Sequence, residues 1–159
     1  MSVSGRWWIV RRYLVVANQT LGGEELWGAI RERIAGGDCH FHLLVPATPA
    51  AQLDPGDSAE VAAEGGAGED LGRRLARQRM RHELDRMREL GASVSGEIGV
   101  ADPVDAVRVV LHRWEFDEVI VSTLPGRRSR WLAADLPTKI RRGFKLQVTQ
   151  VTGATVAKG

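Results

Sequence analysis

Hydrophobic and polar positions along this chain follow two periods in turn. Arg12 to Asn18 is a continuous apolar run and Glu118 to Val121 a short apolar, β-branched one, the pattern of strands buried on both faces, and His40 to Val45 reads as another strand. Ser93 to Val100 alternates apolar with polar residues, as a strand nearer a sheet edge does, and Leu146 to Thr152 supplies a last strand. Between these runs the spacing becomes helical. Leu21, Leu26, Ile30 and Ile34 form one stripe, with Thr20 placed to cap it and Gly36-Gly37 to stop it. Leu71, Leu75, Arg79 or Met80, Leu84, Met87 and Leu90 form a second stripe over Asp70 to Leu90, closed by Gly91. Asp102-Pro103 reads as an N-cap followed by proline at the first helical position, with Val104, Val107, Val110, Leu111 and Trp114 as the buried face. A fourth helix opens at Asp135, carries Pro137 in its first turn and Lys139, Arg141 and Arg142 in its last, and has Gly143 to close it. The order β-α-β-α-β-α-β-α-β predicts an α/β fold: a doubly wound, five-stranded parallel sheet with helices on both faces.

Composition narrows the class without naming an activity. At 159 residues the chain is expected to be a single domain, 1–159, with residues 1–10 as an N-terminal extension whose Trp7 and Trp8 pack outside or at an interface. Residues 46–69 hold many alanines, glycines and acids and few large apolar residues, the composition of a flexible loop. A formal charge of +2 gives no reason to expect nucleic acid as a partner, although basic residues cluster at 73–88 and 127–142. The single cysteine, Cys39, excludes an internal disulfide and fits a reducing compartment. No apolar run is long enough to span a membrane and no signal-peptide pattern opens the chain, so a cytoplasmic location is expected.

The chemistry the sequence offers concentrates at Asp117 to Arg142. A buried strand, a loop and a helix N-terminus in that order are where an open α/β sheet presents a ligand, because free backbone N–H groups and the helix dipole converge there. Elsewhere the candidates have plain structural readings. His40 and His42 alternate on a strand and face one side without a third ligand, so they read as a structural pair and not a metal site. Asp117-Glu118 and Asp102-Asp105 read as strand-start and helix-start charges. No nucleophile–base pattern and no Walker-type loop occurs, and an enzyme is not expected.

The order of elements and three motif positions resemble the universal stress protein family over almost the whole chain. In that family the first strand runs into Asp-Gly-Ser, whose Asp contacts adenosine; Val16-Ala17-Asn18-Gln19-Thr20 stands here, with Asn18 at that place. The family's third strand commonly ends in Gly-Asp-Pro, matched by Ala101-Asp102-Pro103. Its fourth strand ends in Gly-x-x-Gly, nine residues and Gly-Ser/Thr, which hold the phosphates of ATP; Ser122, Pro125, Asp135 and Leu136 occupy those places. The resemblance implies a Rossmann-like sheet of strand order 3-2-1-4-5.

The spacing of the phosphate motif survives here and its chemistry does not. Pro125 lacks an N–H, Asp135 sets a carboxylate at the helix N-terminus, and Leu136 cannot donate a side-chain hydrogen bond. ATP is therefore not expected to bind in the family's way, and no cofactor is expected. Arg127, Arg128 and Arg130 argue the other way, since guanidinium groups on a loop can clamp a phosphate.

Two functions follow from these residues. The first is a non-enzymatic regulatory or stress-response module acting through homodimerisation and an unidentified protein partner. The second is a binding protein for an adenine nucleotide (ATP or AMP) or another anion, held by Asn18, Thr20, Ser122, Thr123, Arg127, Arg128, Arg130 and Asp135. The dimer is expected through strand 146–152, because members of the family pair this strand antiparallel across a two-fold axis. No lysine or aspartate guards the strand from within, and Trp7 or Trp8 could cover its rim.

Overall fold

The computed structural model describes residues 10–17, 21, 23–47, 68–100, 102–123 and 136–153, with side chains in the second helix described from Arg73 onward. The elements run β1 (Arg11–Val16), α1 (Glu24–Ala35), β2 (Cys39–Pro46), α2 (Gly68–Glu89), β3 (Ser93–Gly99), α3 (Pro103–Arg113), β4 (Glu118–Thr123), α4 (Leu136–Phe144) and β5 (Gln147–Thr152). All neighbouring strands are parallel and the order is β3-β2-β1-β4-β5, as expected.

Side-chain alternation along the strands divides the core into two layers. Tyr13, Val15, Phe41, Leu43, Val45 and Ile120 pack with Leu26, Trp27 and Ile30 of α1 and Ala76, Leu84 and Met87 of α2. Leu14, Val16, Leu44, Val119 and Val121 pack with Ala106, Val107 and Val110 of α3 and Leu136 and Ile140 of α4. The apolar runs of β1 and β4 thus belong to strands covered on both faces, and β2, between β1 and β3, is covered likewise. Gly99 fits under α3 because it lacks a side chain: a Cβ there would lie 2.8 Å from the Ala106 Cβ.

Several boundaries differ from the sequence reading. The N-cap residue of α1 is Gly23 in an extended conformation, and the helix begins at the acidic pair Glu24-Glu25, which suits its dipole; Thr20, expected to cap it, lies outside the described residues. The second helix starts at Gly68 and stops at Glu89, so the expected 46–69 loop is shorter and Leu90 is exposed beyond the helix. Gly91 does end it, with φ of 89°. Trp114 lies past the end of α3 and is 38% exposed, while Ala106 takes a buried place on that helix. Gly143 does not close α4. The helix runs on to Phe144, and Lys145 takes the left-handed conformation, φ 53°, with its N–H bonded to the Arg141 carbonyl at 2.9 Å. Ser122 and Thr123 belong to β4 and not to the loop after it. The N-terminal extension with Trp7 and Trp8 lies outside the described residues.

Glu118 is more than a strand-start charge. Its side chain is 4% exposed and meets Arg33 of α1 in a two-pronged contact, Nη2 to Oε2 at 2.7 Å and Nε to Oε1 at 3.3 Å. The Thr149 hydroxyl of β5 donates to the same carboxylate, and Arg33 also donates to the Ala29 carbonyl at 3.0 Å. One buried carboxylate therefore joins β4, α1 and β5. Burial alone would push the Glu118 carboxyl up; the hydrogen bonds from Arg33 and Thr149, with the guanidinium charge, together outweigh it and hold the group below the ordinary carboxylate range. A depressed folded-state value means stability that is present above about pH 4.3 and lost as the pH falls below it. Glu118→Ala leaves the guanidinium without its partner and is expected to cost about 3 kcal/mol in urea unfolding. The variant should also lose less of its remaining stability on acidification than the parent, and a cost below about 1 kcal/mol would show that the pair does not anchor these elements.

Candidate functional site

The chain reverses its direction of travel across the sheet between β1 and β4. These strands lie side by side, with Val16 opposite Val121, while β2 and β3 extend one way and β5 the other. The helices that follow β1 and β4, α1 and α4 respectively, pack into the two different core layers, and an open parallel sheet places its ligand crevice at such a point. At the end of β1, Ala17 is fully buried and its N–H donates to the Leu44 carbonyl at 3.2 Å. At the end of β4, Ser122 and Thr123 are buried hydroxyls in a core that is otherwise almost wholly apolar.

These two side chains point to opposite faces of the sheet. Thr123 is tied to β5. Its Oγ1 lies 3.5 Å from the Thr152 hydroxyl and accepts from Gln150 Nε2 at 3.4 Å, and its carbonyl accepts from the Gly153 N–H at 3.0 Å. Of the eight candidate residues, the structure brings Ser122 and Thr123 to the switch point. Asn18, Thr20, Arg127, Arg128, Arg130 and Asp135 lie outside the described residues, as do Pro125 and Trp131.

All four helices begin at this edge of the sheet, and the N-caps described at α1 and α3 differ. Asp102 caps α3 as its sequence predicts, its Oδ1 accepting from the N–H of Val104 at 2.9 Å and of Asp105 at 3.2 Å. The donors at the start of α3 are thereby occupied. At α1, Gly23 provides no side-chain cap, and the first turn carries Glu24 and Glu25. Glu25 lies against the end of β5: a Cβ on Gly153 would stand 2.5 Å from its Oε1. Among the described residues the N-cap of α1 thus offers no side-chain acceptor to the first-turn donors, and a carboxylate lies close by. Sequence reading missed Glu25, Gly153, Gln150 and Thr152 at this edge. Their proximity follows from the β4–β5 register and the packing of α1, neither of which leaves a mark in local composition.

His40 and His42 face one side of β2, as expected, and their ring nitrogens bond to Ser93, Ser95 and Glu97 of β3. Among the described residues no group of three His, Cys, Asp or Glu side chains could hold a metal ion, and no helix is long and apolar enough to cross a membrane.

No protein-family model matches this sequence, and no curated protein matches it. Solved structures do match its fold. A universal stress protein in complex with cAMP is 18% identical, with 91% of this chain and 98% of that one covered and a TM-score of 0.56. A universal stress protein from Archaeoglobus fulgidus is 13% identical over 94% of this chain and 99% of its own, with a TM-score of 0.54. A universal stress protein family protein from Arabidopsis thaliana with AMP bound is 14% identical over 90% and 92%, also with a TM-score of 0.54. The chain has the fold of the universal stress proteins.

The cap at α3 gives a direct test of how this edge is built. Asp102→Ala should lower stability by about 1 kcal/mol, read as a fall in thermal midpoint, because two N–H donors lose their acceptor. No measurable fall would mean that water or a neighbouring group satisfies them equally well.

Proposed function

We propose that this chain is a non-enzymatic regulatory module of the universal stress protein kind, in which the site that holds ATP in that family is lost and activity runs through self-association and a protein partner. The observation that carries this reading is the outward side of β5, at the end of the sheet. Gly153 points its N–H toward β4, so by alternation the N–H and C=O groups of Val148, Gln150 and Thr152 point away from the sheet. The Val148 carbonyl accepts from Arg141 Nη2 at 3.1 Å, which covers one end of the row. The backbone groups of Gln150 and Thr152 remain at the edge, where a second copy running antiparallel can pair with them through strand 146–152. The lost ATP site rests on Pro125, Asp135 and Leu136 at the phosphate-motif positions.

Light scattering at micromolar concentration should return about twice the 17.4 kDa chain mass; a monomer would overturn the reading. Gln150→Pro removes an outward N–H at an exposed position without taking a side chain from the core. It should weaken the dimer by about tenfold while far-ultraviolet dichroism stays that of the parent.

A second reading is an adenine-nucleotide binder taking ATP or AMP. Two of the similar structures hold cAMP and AMP, and the first turn of α1 lacks a side-chain cap. Thermal unfolding with millimolar ATP, AMP or cAMP separates the two readings. A ligand at about 100 times its dissociation constant adds about 2.7 kcal/mol, which would raise the midpoint by several degrees. An unchanged midpoint with all three favours the module without a nucleotide.

A further inference from the structure

On the face of the sheet covered by α3, side chains of β2 and β3 make one continuous hydrogen-bonded chain. Ser93 Oγ lies 2.7 Å from His40 Nδ1, and His40 Nε2 lies 2.8 Å from Ser95 Oγ. Ser95 Oγ is 2.7 Å from His42 Nδ1, and His42 Nε2 is 2.7 Å from Glu97 Oε2. Arg113, the last residue of α3, donates to both Glu97 oxygens at 2.6 and 2.7 Å. The parallel register makes this possible, setting His40 opposite Ser93 and His42 opposite Ser95.

Counting protons fixes the direction of every bond. Glu97, bonded to a guanidinium, is ionised and only accepts, so His42 carries its proton on Nε2. Neutral His42 then accepts at Nδ1 from the single Ser95 proton. Ser95 accordingly accepts from His40 Nε2–H, and His40 Nδ1 accepts from Ser93. Both imidazoles are Nε2–H tautomers.

One added proton fits this chain without breaking it. Placed on His40 Nδ1, it turns that contact round so that Ser93 accepts. If His40 then passes its Nε2 proton to Ser95 Oγ while Ser95 passes its own to His42 Nδ1, the charge appears on His42 beside Glu97. Ser95 still holds one proton, and every hydrogen bond survives. A second proton does not fit. It points an N–H from each ring at Ser95, leaves the hydroxyl proton without an acceptor in the chain, and sets two cations about one oxygen.

We propose that Ser93, His40, Ser95, His42 and Glu97 form a one-proton relay, in which the two imidazoles share a single proton across Ser95, and that the second proton, not the first, releases edge strand β3 from the end of α3. The surroundings agree. Burial lowers the affinity of both rings for a proton, with Arg12 of β1 adding to this at each, His42 at His40, and Arg113 of α3 at His42; the hydrogen bond and charge of Glu97 oppose it at His42 without prevailing. Trp114 and Phe116, just past α3, lie against His42 with ring centroids 4.9 and 6.1 Å away. With both folded values below the ordinary one of about 6.5, the stability linked to these rings is present above that pH and lost as the pH falls through it.

Nitrogen-15 NMR of the imidazoles in the whole chain tests this. Near neutral pH both rings should show the Nε2–H tautomer. On acidification they should move along one shared curve whose amplitudes sum to one proton, and amide exchange in β3 should quicken only at a later, second step. Ser95→Ala should split the shared curve into two independent one-proton titrations, and Ser95→Thr, which keeps the hydroxyl, should retain it. Two independent titrations in the parent, or an Nδ1–H tautomer on either ring near neutral pH, would overturn the relay. Both readings are made on the parent, so they decide the matter even if Ser95→Ala does not fold.

Discussion

Burial of β1 on both faces is the constraint from which the rest follows. Leu14, Val15 and Val16 have no exposed surface, so their backbone donors and acceptors can be met only by a strand on each side. That requirement puts β2 and β4 where they are and leaves the two ends of the sheet to β3 and β5. It also sends polar chemistry to the ends of the strands. Glu118 and the two histidines lie toward the starts of β4 and β2, and Ser122 and Thr123 at the end of β4. The stretch of β1 from Leu14 to Val16 carries none.

Two polar assemblies at the starts of the strands solve the problem of burial differently. Glu118 is met by a guanidinium and a hydroxyl at once, an arrangement with one protonation state and one geometry. The assembly built on His40 and His42 has two hydroxyls whose protons can turn, so the same heavy-atom positions serve more than one proton count. The first assembly ties α1 to the β5 side of the sheet, and the second ties α3 to the β3 side. They lie on opposite faces of the sheet.

Much of the architecture was legible in the chain. Continuous apolar runs identify strands covered on both faces, and Asp102-Pro103 announces the start of α3 to the residue, because a cap and the proline after it act through neighbouring atoms. What failed was of two kinds. At ends where no single residue forces a stop, Gly143 is a suitable terminator, yet α4 runs one residue further and Lys145 takes the left-handed turn. Polar residues whose meaning lies in a distant partner could not be read either. Glu118 resembles any charge at a strand start until Arg33, 85 positions away, is set against it. Likewise, the alternation of His40 and His42 fixes their common side but not the serines opposite, which depend on register. At the ligand edge Ser122 is marked by motif position, whereas Glu25 and Gly153 come together only through the packing of α1 on β5.

The hydrogen bond from Arg141 to the Val148 carbonyl gives the sheet margin a polarity of its own. A margin free along its length lets an incoming strand slide by two residues at a time and still find partners. Here the Val148 carbonyl at one end is already engaged by a cation from the helix just before it, which breaks the sameness of the row. The helix thus braces the margin strand it leads into, and fixes where that strand begins relative to the helix.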